Sequence, residues 1–115
     1  MSDTAEPGRA PEDVLLALAD ATRREVLAVI AREGGATSTS LAARLPVTRQ
    51  AVAKHLSVLE RAGLVRARRI GREVRYEADL QPLRQTGQWM ATLAAVWEQR
   101  LDAIKELAES GSEPE

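Results

Sequence analysis

The sequence predicts a mostly α-helical domain that carries one small β-hairpin. Three observations predict it. Apolar residues recur at three- and four-residue spacing through most of the 115 residues, the period of an amphipathic helix. Residues 64–77 break that period and read as strand, glycine-containing turn and strand. There is no Phe, one Tyr and two Trp, so the core is drawn mainly from Leu, Val, Ile and Ala, which suits helices.

Taken in order, residues 1–10 are polar, hold Pro and Gly, lack apolar periodicity and read as a disordered tail. Residues 110–115 have the same character and the same reading. A first helix is expected from Pro11 or Glu12 to Ala19. Pro11 suits a first helical turn, and Glu12 and Asp13 suit the positive end of the helix dipole. Val14, Leu15 and Leu18 form its apolar stripe. Asp20 and Thr22 punctuate, and Thr22 with Glu25 has the spacing of a capping box for a second helix running to Glu33. Val26, Leu27 and Ile30 face inward, and Gly34-Gly35 ends it. Thr37, Ser38, Thr39 and Ser40 offer N-caps for a short third helix over residues 39–45, and Pro46-Val47 makes a turn.

Thr48 then caps a fourth helix, residues 48–62, stopped by Gly63. On a helical wheel Val52, Leu56 and Leu59 share one face. Thr48, Arg49, Gln50, Ala53, Lys54 and Ser57 share the other. That outer face is polar and basic, with small residues that let another backbone come close. Such a helix fits the DNA major groove, where Arg, Lys, Gln and Ser/Thr can bond base edges and phosphates. A short helix, a tight turn and a longer helix with a polar outer face make a helix-turn-helix.

The hairpin comes directly after. Residues 64–69 read as one strand, 70–73 as the turn and 74–77 as the return. A basic hairpin in this position is a wing, whose arginines reach phosphates or the minor groove. The fold class is therefore a winged helix-turn-helix: four helices, a β-hairpin and a fifth helix. Residues 11–80 form the DNA-binding part, and helix 81–109 completes the same domain.

Charge agrees with this placement. Residues 44–75 hold nine basic groups and two acids, a local +7, while the other residues hold seven basic and fifteen acidic groups, a local −8. A near-neutral chain with one basic block carries the footprint of a nucleic-acid binder. Cysteine is absent and His55 is the sole histidine. This excludes disulfides, thiolate metal sites and cysteine nucleophiles within the sequence. No metal-ligand cluster and no Gly-rich phosphate loop is present, so no enzyme, cofactor or metal site is expected. The expected location is the cytoplasm, with no apolar run long enough to span a membrane and an acidic N-terminus unlike a signal peptide.

The final helix, residues 81–109, would be roughly 40 Å long at about 1.5 Å per residue. Trp89, Met90, Leu93, Val96, Trp97, Leu101, Ile104 and Leu107 recur along it. So long an apolar stripe exceeds what a small winged helix can cover, and exposed stripes of this size mark interfaces. A homodimer through the terminal helices is expected. Its interface would use Val14, Leu15, Leu18, Trp89, Met90, Leu93, Val96, Trp97, Leu101 and Ile104. Another reading has Trp89 and Trp97 line a pocket for an apolar effector, and a third folds the helix back over its own domain.

Together these stretches resemble the ArsR family of bacterial winged helix-turn-helix repressors, from about Val14 to Leu107. Leu18-Ala19-Asp20-Ala21-Thr22-Arg23-Arg24 is similar to that family's junction between the first two helices. Residues 52–65 resemble its recognition helix running into the wing, and Arg69-Ile70-Gly71-Arg72-Glu73-Val74-Arg75-Tyr76 resembles the wing. The resemblance implies a homodimer that binds inverted repeats in promoters, represses, and is commonly released by an effector. Many members sense metals through a Cys-x-Cys pair or through His/Asp ligands on the last helix; this chain has neither the cysteines nor a histidine there. The stretch from Trp89 to Asp102 resembles a subgroup without metal sites.

The expected DNA-contacting residues are Thr48, Arg49, Gln50, Ala53, Lys54, His55 and Ser57 on the helix and Arg68, Arg72 and Arg75 on the wing. Strand alternation forbids all of Arg68, Arg69, Arg72 and Arg75 from facing DNA together, and Arg72 at the tip is the strongest of them. His55 lies on the inner or flanking side of its helix, where the alternative is packing. The function expected is a dimeric transcriptional repressor on double-stranded promoter DNA, with an effector of unspecified chemistry and no membrane partner. The alternative is a winged-helix module that docks a protein.

Overall fold

The computed structural model describes residues 11–112. Helix α1 spans Pro11–Ala17 and α2 spans Ala21–Glu33. A two-residue strand β1, Ala36–Thr37, leads into α3, Ser38–Arg44, and α4, Arg49–Arg61. Strands β2, Val65–Ile70, and β3, Glu73–Ala78, form the hairpin, and α5 covers Gln81–Ser112. The expected winged helix-turn-helix is the architecture observed. The tail expected over 1–10 lies outside the described residues. The tail expected over 110–115 is corrected in part, since α5 continues through residues 110–112; the remainder lies outside the described residues.

Local chemistry accounts for the helix boundaries. The cap of α2 is Asp20, not Thr22 as the capping-box spacing suggested. Asp20 is extended at φ −100°, ψ 124°, and its Oδ1 accepts from the Arg23 N–H at 3.0 Å. A carboxylate at this position meets both the orphan N–H and the positive end of the dipole. Thr22 consequently falls inside the first turn, and α1 stops at Ala17, earlier than expected. Thr37 caps α3 in a reciprocal box with Ser40, and Thr48 caps α4 by accepting from the Ala51 N–H at 3.0 Å.

The end of α4 fixes where the wing begins. Gly63 has φ 80°, a left-handed conformation that costs other residues free energy. Its N–H donates to the Glu60 carbonyl at 3.0 Å, and the Leu64 N–H donates to Leu59 at 2.9 Å. This is the Schellman pattern. It buries Leu64 beneath the helix it follows and aims β2 away from α4.

The wing is a three-stranded antiparallel sheet in the order β1-β3-β2, larger than the hairpin expected from the sequence. Ala36 pairs with Tyr76 and Thr37 with Arg75. Two residues are too few to show a strand period, so β1 was not foreseen. Its effect is to clamp the wing's return strand to the start of the helix-turn-helix.

The core is aliphatic. Val26, Ile30, Leu41, Val52, Leu56 and Leu59 lie at its centre, all essentially inaccessible. Val14, expected at a dimer interface, is corrected: it is 1% exposed and belongs to this core. The reason is that α1 packs against α4 as well as α5, so Val14 and Ala17 face inward. Leu18 packs partly against the core, while Leu15 and Leu16 are exposed. The first turns of α5 are anchored by buried Pro82 and Thr86, whose hydroxyl donates to the Pro82 carbonyl at 2.8 Å. From Gly87 to Gly111 every residue of α5 is exposed. The helix has 32 residues and is about 48 Å long.

Candidate nucleic-acid interface

Helix α4 is amphipathic in the way its sequence dictates. Val52, Leu56 and Leu59 are buried, and Thr48, Arg49, Gln50, Ala53, Lys54 and Ser57 are all exposed. The apolar face grips the core and holds the polar face rigidly outward. Arg49 is further held by Thr39, whose Oγ1 accepts from Nη2 at 3.0 Å. Thr39 belongs to the Thr/Ser run that sequence reasoning treated only as a choice of caps. Its pairing with Arg49 spans ten positions, and no local pattern announces it.

His55 differs from its neighbours. It is half-buried, and its Nδ1 lies 3.3 Å from Arg23 Nη1. The expected DNA contact is therefore set aside for this nitrogen: the ring edge that carries it is engaged at the junction with α2. A guanidinium can only donate, so this contact is a hydrogen bond only when the Nδ1 position is unprotonated. Arg23 and Arg24 were legible only as part of the junction motif. In the structure Arg23 Nε donates to the Ala17 carbonyl at 2.7 Å, and Arg24 Nη1 donates to the Leu18 carbonyl at 2.7 Å.

Electrostatics at this junction act on Asp20. The Arg23 backbone N–H holds its carboxyl below the ordinary carboxylate range. Burial works in the opposite direction, and the nearby Arg23 and His55 add smaller lowering contributions.

In the wing, register sorts the arginines. Arg68 and Arg75 are direct cross-strand partners, and Arg69 pairs with Val74 at the adjacent position. Alternation places Arg69 on the face opposite to Arg68 and Arg75. Arg68 Nη1 is 3.1 Å from Glu77 Oε2, and Arg66 Nη2 is 3.3 Å from Asp79 Oδ2. Such exposed pairs are worth only about 0–1 kcal/mol, so a DNA phosphate can compete for Arg68. Arg75 is half-buried, with its guanidinium against Gly35. A Cβ at Gly35 would come within 2.8 Å of Arg75 Nε, so glycine there makes room for the arginine. Among the described residues Arg72 makes no ion pair, and it is exposed beside Gly71 at the tip.

The helix and wing form one surface. A groove lined by Thr39, Ser40, Arg49, Arg72 and Val74, among others, runs between α3 and the wing tip. It brings the first residue of the recognition helix and the tip arginine to a common depression. The arrangement offers guanidinium and hydroxyl donors to an anion. No group of three or more potential metal-ligating side chains occurs among the described residues, and no described helix is long and apolar enough to cross a membrane.

Known proteins share this fold. The helix-turn-helix domain family matches residues 18–68. The chain is similar to the solved ArsR-like transcriptional regulator from Rhodococcus sp. RHA1, at 44% identity and TM-score 0.77, covering 85% of this chain and 92% of that one. It is 45% identical over 65 residues to the HTH-type transcriptional regulator YuzN of Bacillus subtilis, covering 51% of this chain and 71% of the relative. It is 42% identical over 81 residues to the HTH-type transcriptional regulator CmtR of Mycobacterium bovis, covering 70% and 68%. With the recognition helix and wing built as described, these likenesses establish that the chain belongs to the ArsR family of DNA-binding, winged helix-turn-helix transcriptional regulators.

Proposed function

We propose that the protein is a homodimeric repressor that binds an inverted-repeat operator. The observation that carries this reading is the exposed polar face of α4, whose first residue, Arg49, shares one groove with Arg72 of the wing tip. In the proposed complex α4 enters the major groove. Gln50 and Lys54 read base edges, Ala53 meets the groove floor, and Thr48, Arg49 and Ser57 bond base edges or phosphates. Arg72 engages the backbone or minor groove, with Arg68 released from Glu77 to assist.

Dimerisation is proposed from α5. Trp97 is 52% exposed, Leu101 60% and Ile104 61%, and Trp89, Met90, Leu93 and Val96 continue the stripe. A second copy offers the same stripe, as a two-fold interface requires. Leu15 lies at the α1 end of the exposed surface. Two recognition helices would then enter successive major grooves roughly 34 Å apart, and occupancy of a promoter would block transcription. Release would follow from an effector that prefers the unbound form, by a route that uses neither cysteine nor a histidine of α5, since the sequence has none there. The proposed site of action is the cytoplasm.

Footprinting on the DNA upstream of its own coding region, across a salt series, tests the proposal. The expected result is a protected inverted repeat whose affinity falls steeply with salt. Absence of DNA binding at low salt by a verified dimer would overturn it and favour a protein-docking winged helix.

A further inference from the structure

The Arg23 side chain joins three elements. Its backbone lies in the first turn of α2, where its N–H is capped by Asp20. Its Nε donates to the Ala17 carbonyl at 2.7 Å and its Nη2 to the Leu16 carbonyl at 3.3 Å, both in the last turn of α1. Both carbonyls lie at the C-terminal end of α1, and that of Leu16 also accepts from the Ala19 N–H at 3.2 Å. Its Nη1 faces His55 Nδ1 in the middle of α4 at 3.3 Å. One planar guanidinium thus ties the end of α1 and the start of α2 to the recognition helix.

Helix α1 also packs along α5. The path from the exposed stripe of α5 to the reading face of α4 therefore passes through α1, and Arg23 bonds both ends of the α1–α4 step. We infer that Arg23 is a positioning residue for operator recognition. Through Ala17, Leu16 and His55 it sets the tilt of α4 relative to α5, and hence the separation of the two recognition helices and the half-site spacing that the dimer accepts. The inference rests on the dimeric operator reading given above. Lysine cannot replace arginine here, because a compact ammonium lacks the rigid fork that reaches three acceptors in different directions.

The test uses the full chain and the footprinted operator, with variants in which the half-sites are moved together or apart by about one base pair, roughly 3.4 Å along the duplex. The wild type is expected to prefer its natural spacing by about tenfold or more, the scale of a poorly matched site. Arg23→Lys preserves charge and is expected to compress that preference to within about threefold, while binding to non-specific DNA at the same salt changes by less than about twofold. His55→Ala is expected to act in the same direction. His55→Asn, whose amide oxygen can occupy the place of Nδ1, is expected to restore the preference. A merely structural role would lower the thermal midpoint and weaken every spacing alike.

Retention of the full spacing preference in folded Arg23→Lys and in His55→Ala overturns the inference while leaving the dimeric operator reading intact. If Arg23→Lys fails to fold, the His55 pair decides: equal behaviour of the Ala and Asn variants overturns the inference. A wild type with no spacing preference overturns the dimeric reading, and the inference with it.

Discussion

Helices α4 and α5 carry similar apolar stripes and meet opposite fates. In α4, Leu56 and Leu59 are sealed within the domain; in α5, the residues from Trp89 to Leu107 face outward. Their three- and four-residue periodicity does not distinguish them, although the α5 stripe is longer and includes Trp89, Met90 and Trp97. What distinguishes them is geometry: α4 lies across the helical core, whereas α5 leaves it after Thr86. An amphipathic pattern specifies that a face seeks burial but not against which surface. The comparison also separates two kinds of stability, one intrinsic to the single chain and one that would arise on association and so depend on concentration.

Leu59→Ala should destabilise the fold by about 2–5 kcal/mol, the range for deleting a buried leucine side chain, seen as a lower urea midpoint at any protein concentration. A loss below about 1 kcal/mol would mean that α4 is not the structural centre its burial implies. Trp97→Glu tests the other helix. It should leave the monomer folded by circular dichroism and shift sedimentation from dimer to monomer at micromolar protein, and a dimer unaffected by the charge would move the interface away from the middle of α5.

Smaller effects sharpen the comparison between α4 and the wing. Gln50→Ala should cost about 1–3 kcal/mol at the operator and little on unrelated DNA, as for a base-edge contact. Arg72→Ala should weaken all sequences about equally and reduce the salt slope by about one, as for a phosphate contact. Titrations at several salt concentrations separate the two patterns, and a sequence-dependent effect of Arg72→Ala would assign the wing a reading role.

The smallest expected effect lies at Asp20. Its folded-state pKa is depressed, so its contribution is present in full above the ordinary aspartate value of about 4 and is lost as pH falls through the lower folded value. Asp20→Asn keeps a capping oxygen but removes the titration. Urea midpoints measured downward from about pH 5 should fall less steeply for the variant than for the wild type. Parallel curves would show that the carboxylate does not contribute to acid sensitivity.

Much of the fold was legible because it is local. Thr48, the Val52-Leu56-Leu59 stripe and Gly63 define α4 within sixteen consecutive positions, so spacing and capping chemistry suffice. The wing was legible for the same reason, with Gly71 between two strand-like runs. The cap of α2 was not, since Asp20 with Arg23 and Thr22 with Glu25 share a spacing, and only the backbone angle at Asp20 distinguishes them. The β1 strand was missed because its partners lie some forty positions away, at Arg75 and Tyr76.

The candidate site divides along the same line. Its outward face, Arg49, Gln50, Ala53, Lys54 and Ser57, follows from the helical period, because the positions opposite a buried stripe are exposed. Which arginines remain available does not follow from it. Arg68 meets Glu77 across the hairpin, Arg75 lies over Gly35, and Arg49 meets Thr39 on the preceding helix.

Helix periods, the breaks between them, the hairpin and the location of the basic block are readable along the linear chain, because each arises from residues a few positions apart. Only the packing of the folded chain shows that Val14 is core, that Arg75 lies over Gly35, and that Arg23 reaches both α1 and His55. These depend on distances between elements, and a side chain's partners across such distances are chosen by packing, not by spacing along the chain.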